Sequence, residues 1–318
     1  MLSQYWQRTL TFPGDELLSE GVTAALSDLA AKLRLDSSKA IASLGLRSLS
    51  LLTLADPKSV RRILADQLDS IGGPSGLPFD EAMDLAYVAL HYFWATLDYP
   101  FMVQHGAALL IEQSRLIRSY RHPDSDHTPT MAPSREALLL GETIRICRLI
   151  DQARRFSRLE EQAGLTRSEL ADLASLADAM RTPEALASAW QIPTLSDDCV
   201  HVPDFFLLRQ STANDGSSFQ PAATKPAIDP LFVLQVGYLS LAGLQLASDR
   251  LTLSPRTLSG LDQFTCQFHY CSSRIQLSVA SGQGRLVLMD GPAQAIQIYD
   301  DEYMLEDELT FPVAPGFP

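Results

Sequence analysis

Residues 92–112 read YFWATLDYPFMVQHGAALLIE. Apolar side chains recur at helical spacing on both sides of one interruption, Asp98-Tyr99-Pro100. Proline fixes its own backbone angle and lacks an amide hydrogen, so the pattern predicts two helices meeting there, about 80–97 and 100–120. His91, Tyr92, Phe93 and Trp94 fall where large side chains pack a core rather than line a cofactor box. Glu112 and Arg115 stand three apart, the spacing of an intrahelical ion pair.

Helical pattern extends outward in both directions, from about residue 15 to 190. Asp36-Ser37-Ser38 can cap one helix, and Asp56 before Pro57 offers an N-cap with proline at the first helical position. Further helices are predicted over about 134–162, 167–180 and 183–190, and Thr166 with Glu169 forms a capping-box pattern. Residues 191–229 are polar and rich in turn formers, hence loop-rich. PLFVLQVGYLSLAGLQLA then predicts one more helix, apolar on nearly every face. After Ser248 the period becomes two: RLTLSP, DQFTCQFHY, RIQLSVA, GRLVLMD and QAIQIYD predict a small antiparallel sheet. The final EDELTFPVAPGFP, acidic and then proline-rich, is expected to be loosely held. The domain reading is a helical body over 1–247 and a small sandwich-like β-domain over 248–318.

A length of 318 residues supports a full core, and the formal charge of −13 opposes a phosphate backbone or an anionic lipid surface. Neither nucleic acid nor membrane is an expected partner, and no apolar run reaches the roughly 18 residues of a spanning helix. Without a secretory pattern at the N-terminus, and with four scattered cysteines, the expected setting is the cytoplasm with reduced thiols. Cys266 and Cys271 fall in neighbouring strand-like stretches that could approach each other. No phosphate loop, GxSxG elbow or HExxH motif occurs, so no cofactor or metal is expected. The expected partner is a small-molecule substrate, with a homo-oligomer left open.

The segment DLAYVALHYFWATLDYPFMVQHGAALLIEQSRL, from Asp84, resembles glycoside hydrolase family 65, the kojibiose, maltose and trehalose phosphorylases and related hydrolases. Asp84, Ala86, Tyr87, Tyr92, Thr96, Asp98, Phe101, Gly106 and Arg115 stand at matching places of the family pattern. GYLSLAGLQLASDRLTLSPR resembles the family's last barrel helix and the strand after it; FPGD and VPDFFLL are shorter echoes. The resemblance implies a mainly α fold: a reduced (α/α)6-type barrel followed by a small antiparallel β-domain. It also implies that the family's N-terminal β-sandwich is absent.

The family's chemistry is not expected to carry over. Inverting glycosyl transfer needs a protonated carboxyl beside the leaving oxygen. The family supplies a Glu in G-P-(D/N)-E, and the nearest counterpart here, HPDSDH at 122–127, places Ser125 there. The sugar-gripping F-W-D-T-E becomes Ile41-Ala42-Ser43-Leu44-Gly45, and the Lys-Gln pair becomes His201-Val202. What the resemblance leaves is a cavity mouth lined by Asp80, Glu81, Asp124, Asp126, His127 and His201, where a carboxylate or imidazole could act as general acid or base. Each also has a plainer role: Asp80 and Glu81 suit a helix N-terminus, and HPDSDH suits a solvated turn. Two readings follow. One is a repurposed biosynthetic enzyme performing cyclisation, isomerisation or dehydration on a small, largely apolar substrate. The other is a non-catalytic binding or partner protein, with residual disaccharide phosphorolysis or hydrolysis as a third.

Overall fold

The computed structural model describes residues 9–13, 16–46, 48–71, 78–120, 133–180, 230–246, 250–257 and 261–313. The break at Asp98 is where the sequence places it. Helix α5 (Phe79–Thr96) ends at Leu97, which adopts a left-handed backbone with φ 51. Asp98 then caps the short α6 (Tyr99–Phe101), accepting the Phe101 amide at 3.0 Å. The chain continues through a π-helical segment (Met102–Gly106) into α7 (Ala107–Tyr120).

From Ala82 to Ala95 every residue of α5 except Asp84 is buried, which makes it a helix enclosed on nearly all sides. Its neighbours explain this. The chain before it forms α1 (Glu16–Lys32), α2 (Ser37–Leu44), α3 (Ser48–Ala55) and α4 (Pro57–Ile71). After α7 come α8 (Pro133–Gln152), α9 (Phe156–Ala163), α10 (Arg167–Met180) and α11 (Pro230–Gln235), the last running into a second π segment, Val236–Leu241. Contacts link α11 to α3, α3 to α5 and α5 to α8, while α1, α4, α7 and α10 pack alongside them as a second row. The helices thus pack in two rows beside the central α5.

The expected caps are formed. Asp36 accepts the Lys39 amide at 3.1 Å, Asp56 accepts the Ser59 amide at 3.2 Å, and Thr166 accepts the Glu169 amide at 3.1 Å. Two helical expectations need correction. The stretch 134–162 is two helices, because Arg154 turns left-handed at φ 56 between α8 and α9. The helix that starts at Pro230 stops at Leu241 rather than near 247. Gly243 follows at φ 57, and an added side chain there would strike the Ser254 carbonyl. The predicted helix over 183–190 and the loop-rich 191–229 lie outside the described residues.

The β-region holds more strands than the alternation predicts, sorted into two sheets. The first sheet runs β1 (Leu10–Thr11), β4 (Phe264–Tyr270), β5 (Ser273–Ala280), β6 (Gln283–Asp290), β9 (Glu308–Pro312). The second runs β2 (Gln245–Leu246), β3 (Leu251–Leu253), β7 (Gln294–Ile298), β8 (Asp301–Leu305), with β3 and β7 parallel. The stretch expected to be loosely held instead supplies β9, paired with β6 from Glu308 opposite Val287 to Pro312 opposite Gln283. Alternation holds in detail on β4, where Phe264, Cys266, Phe268 and Tyr270 are buried and Thr265, Gln267 and His269 lie between them half-buried. One continuous apolar core joins helices and sheets. Cys266 and Cys271 are both free thiols; they share one strand and its turn, about 16 Å apart at about 3.3 Å per residue, too far to bridge.

Candidate functional site

Three polar clusters are built on the helices, and each crosses between elements. The first lies at the C-terminal end of α5. Asp98 accepts the Tyr92 hydroxyl at 2.7 Å and Arg61 Nε at 2.8 Å, besides capping α6. Arg61 also sits 5.7 Å from the centre of the Phe101 ring. Burial opposes ionisation of Asp98, but bonds from Tyr92, the Phe101 amide and Arg61 outweigh it and hold the carboxyl below its usual range. Burial and the neighbouring carboxylate push the Tyr92 phenol up, so it stays protonated as a donor.

The second cluster joins α5 to α8. Glu142 accepts Trp94 Nε1 at 3.0 Å and Arg145 Nε at 2.9 Å, and Arg145 lies over the Phe93 ring. His91 packs on Trp94 with ring centres 5.0 Å apart, and complete burial pushes its pKa down to about 4. The imidazole is therefore neutral at pH 7. In the third cluster Arg115 grips both oxygens of Glu169, at 2.7 and 2.8 Å, and donates to the Ala163 carbonyl at 2.7 Å. This corrects the expected pairing with Glu112: Arg115 bonds across 54 positions to α10, because a bidentate carboxylate and a free helix-end carbonyl satisfy the guanidinium better than a half-exposed neighbour.

The end of α5 is closed by the sheet. The β4–β5 turn, Cys271 and Ser272, has two positive φ angles, the geometry of a tight hairpin. Its amides donate to the carbonyls of Trp94 at 2.8 Å and Ala95 at 3.1 Å, and the Ser272 hydroxyl donates to that of Thr96. Carbonyls left over at a helix terminus thus meet donors from the neighbouring layer.

Of the residues singled out from sequence, Asp80 and Glu81 lie in the first turn of α5, and Glu81 is exposed. Pro78, before them, makes no side-chain cap bond. Asp124, Asp126, His127 and His201 lie outside the described residues. The acids at the start of α5 are separated from Asp98 by the length of the helix, about 25 Å at 1.5 Å per residue. The structure therefore does not bring Glu81 together with Asp98. Sequence reasoning passed over Arg61, Glu142 and Glu169 as partners. Only Glu142 and Arg145, three apart, carried a local signal. Among the described residues no group of three or more His, Cys, Asp or Glu is arranged to hold a metal ion, and no helix is long and apolar enough to cross a membrane.

No family model matches the chain, and no curated protein does. A solved structure does: one assigned as a kojibiose phosphorylase from the human microbiome, with a TM-score of 0.60 over 97% of this chain. The likeness is one of fold. Sequence identity is 12%, and the chain spans 63% of the length of that protein. A mainly helical body with C-terminal sheets, similar to that phosphorylase, is what the comparison supports, in agreement with the family 65 resemblance read from residues 84–116.

Proposed function

We propose that this chain is a phosphorylase-like body turned to non-glycosidic acid/base chemistry: a cyclisation, isomerisation or dehydration of a small, largely apolar substrate. The observation that carries this reading is the contrast among its carboxylates. Asp98, Glu142 and Glu169 each accept from two or more donors, while Glu81 stands exposed at the N-terminus of a helix buried on nearly all sides, with Asp80 beside it in sequence. A carboxylate held by several donors is a weak base, and one at a helix start remains open to a substrate. Asp124, Asp126, His127 and His201 complete the proposed set of acids and bases. The reading takes residues 1–247 as the substrate-binding body, 248–318 as its β-domain, and the cytoplasm as the setting.

The test starts from mass spectrometry of small molecules released from the purified, denatured protein, followed by turnover assays on what is found. Asp80→Asn with Glu81→Gln should abolish turnover and leave the melting temperature unchanged. An undiminished rate would remove both from the mechanism. Incubation with kojibiose, maltose or trehalose and phosphate should release no glucose 1-phosphate; release would restore the glycosidic reading. A second reading, a non-catalytic binding body, is favoured by the same engagement of these three acids in structural bonds. Tight binding of the recovered molecule without conversion would establish it.

A further inference from the structure

The edges of the two sheets are not equally closed. The first sheet ends in the two-residue β1 and in β9, where Pro312 lacks an amide hydrogen and Glu308 is bound to Arg285 at 2.6 Å. The second ends in the two-residue β2 and in β8, Asp301 to Leu305, which has no proline, lysine or bulge to protect it. Bonding along β7 shows which way β8 faces. The Tyr299 amide donates to the Leu253 carbonyl at the β3 side, so by alternation Ile298, Ile296 and Gln294 bond toward β8. Their partners are Asp301, Tyr303 and Leu305. The amides and carbonyls of Glu302 and Met304 therefore point outward, with no strand beyond them among the described residues.

We propose that β8 receives an extended, basic segment of a partner protein as an added strand. Main-chain bonds to Glu302 and Met304 hold it, because an open edge strand is a template for another chain. Charge selects the occupant. Asp300, Asp301, Glu302, Glu306 and Asp307 are exposed on and beside β8, and among the described residues none of them forms an ion pair. A second copy of this chain would bring the same acids against them, adding to the repulsion between two bodies of formal charge −13. Lysine or arginine on an incoming strand meets them instead. Met304, 59% exposed, is the most exposed large apolar side chain among the described residues and offers that strand an adaptable contact between the acids. The segment that fits is thus a run of alternating basic and apolar residues. The inference does not depend on the catalytic reading, since it concerns the β-domain and its test measures binding rather than turnover.

Fluorescence anisotropy with a labelled peptide of Lys-Val repeats tests this on the full chain. The peptide should bind with a micromolar Kd that weakens as salt is raised, and a peptide of Glu-Val repeats should not bind. Hydrogen exchange followed by NMR should show the Glu302 and Met304 amides exchanging freely in the protein alone and slowed about tenfold or more in the complex. No binding, or binding that leaves these two amides unprotected, overturns the proposal. Protection already present in the protein alone also overturns it, because a second copy or another part of this chain then covers the strand; sedimentation velocity tells those two apart. Met304→Pro removes an outward amide hydrogen without touching the bonds to β7, and should weaken the peptide about tenfold. Met304→Lys keeps the amide and adds repulsion, and should weaken it about threefold. Unchanged affinity in either variant that melts like the wild type counts against the site.

Discussion

The two ends of α5 are built differently. At its C-terminus, carbonyls are met by the β4–β5 turn, Asp98 is held by three donors, and Trp94 is tied to Glu142. At its N-terminus Pro78 offers no side-chain cap, and Glu81 faces solvent. One end joins layers of the fold, and its charges are committed. At the other end Glu81 has no ion-pair partner among the described residues. A carboxylate conspicuous in a family pattern, such as Asp98, can thus be structural.

Substitutions should separate the two ends. Asp98→Ala removes a cap, an acceptor for a buried phenol and an ion pair, and should cost about 3 kcal/mol in urea denaturation. Asp98→Asn, which keeps an acceptor oxygen, should cost about half as much. Equal losses would show that the charge alone matters. Trp94→Phe keeps the ring and loses the donor to Glu142, for a cost of about 1–2 kcal/mol. Arg115→Ala should cost a similar amount, since Glu169 and the Ala163 carbonyl both lose a donor. Arg285→Ala, at the exposed pair with Glu308, should leave the melting temperature unchanged.

His91 predicts a pH dependence of definite sign. Its pKa is about 4 when folded and about 6.5 when unfolded, so between these values the unfolded chain binds more protons. Stability conferred by the neutral imidazole is complete above pH 6.5 and is lost as pH falls toward 4, by up to about 1.4 kcal/mol per pH unit. Asp98 and Glu169 are held below their usual range, so the stability they confer is lost only as pH falls through the carboxylate range. His269, also pushed down to about 4 mainly by burial, contributes over the same range as His91. His91→Gln should therefore reduce the slope of stability between pH 6.5 and 4 by about half; an unchanged slope would show that His91 does not contribute.

The local features of the fold were legible. Asp36, Asp56 and Thr166 act through backbone amides three residues away, so the signal and its consequence share a window. Alternation on β4 to β7 marks strands for the same reason. Two-residue strands such as β1 and β2 carry no period. Leu10 and Thr11 are strands only because β4, over 250 residues later, pairs with them. The acidic run near the C-terminus looked loose because its pairing partner, β6, is not visible in its own composition. At the candidate site Asp80 and Glu81 were legible as acids at a helix start, whereas the Arg61–Asp98 bond spans 37 positions and left no trace in spacing.

Taken alone, the chain determined where helices start, where the central helical run breaks, where the period changes to two, and which family's fold it resembles. Those follow from backbone constraints and side-chain periodicity, which act over a few residues. Tertiary structure decided which charges are committed to structure, how the strands sort into two sheets, and which strand edge is left open. Hydrogen bonds and ion pairs act over about 3 Å in space, a distance that separation along the chain does not encode.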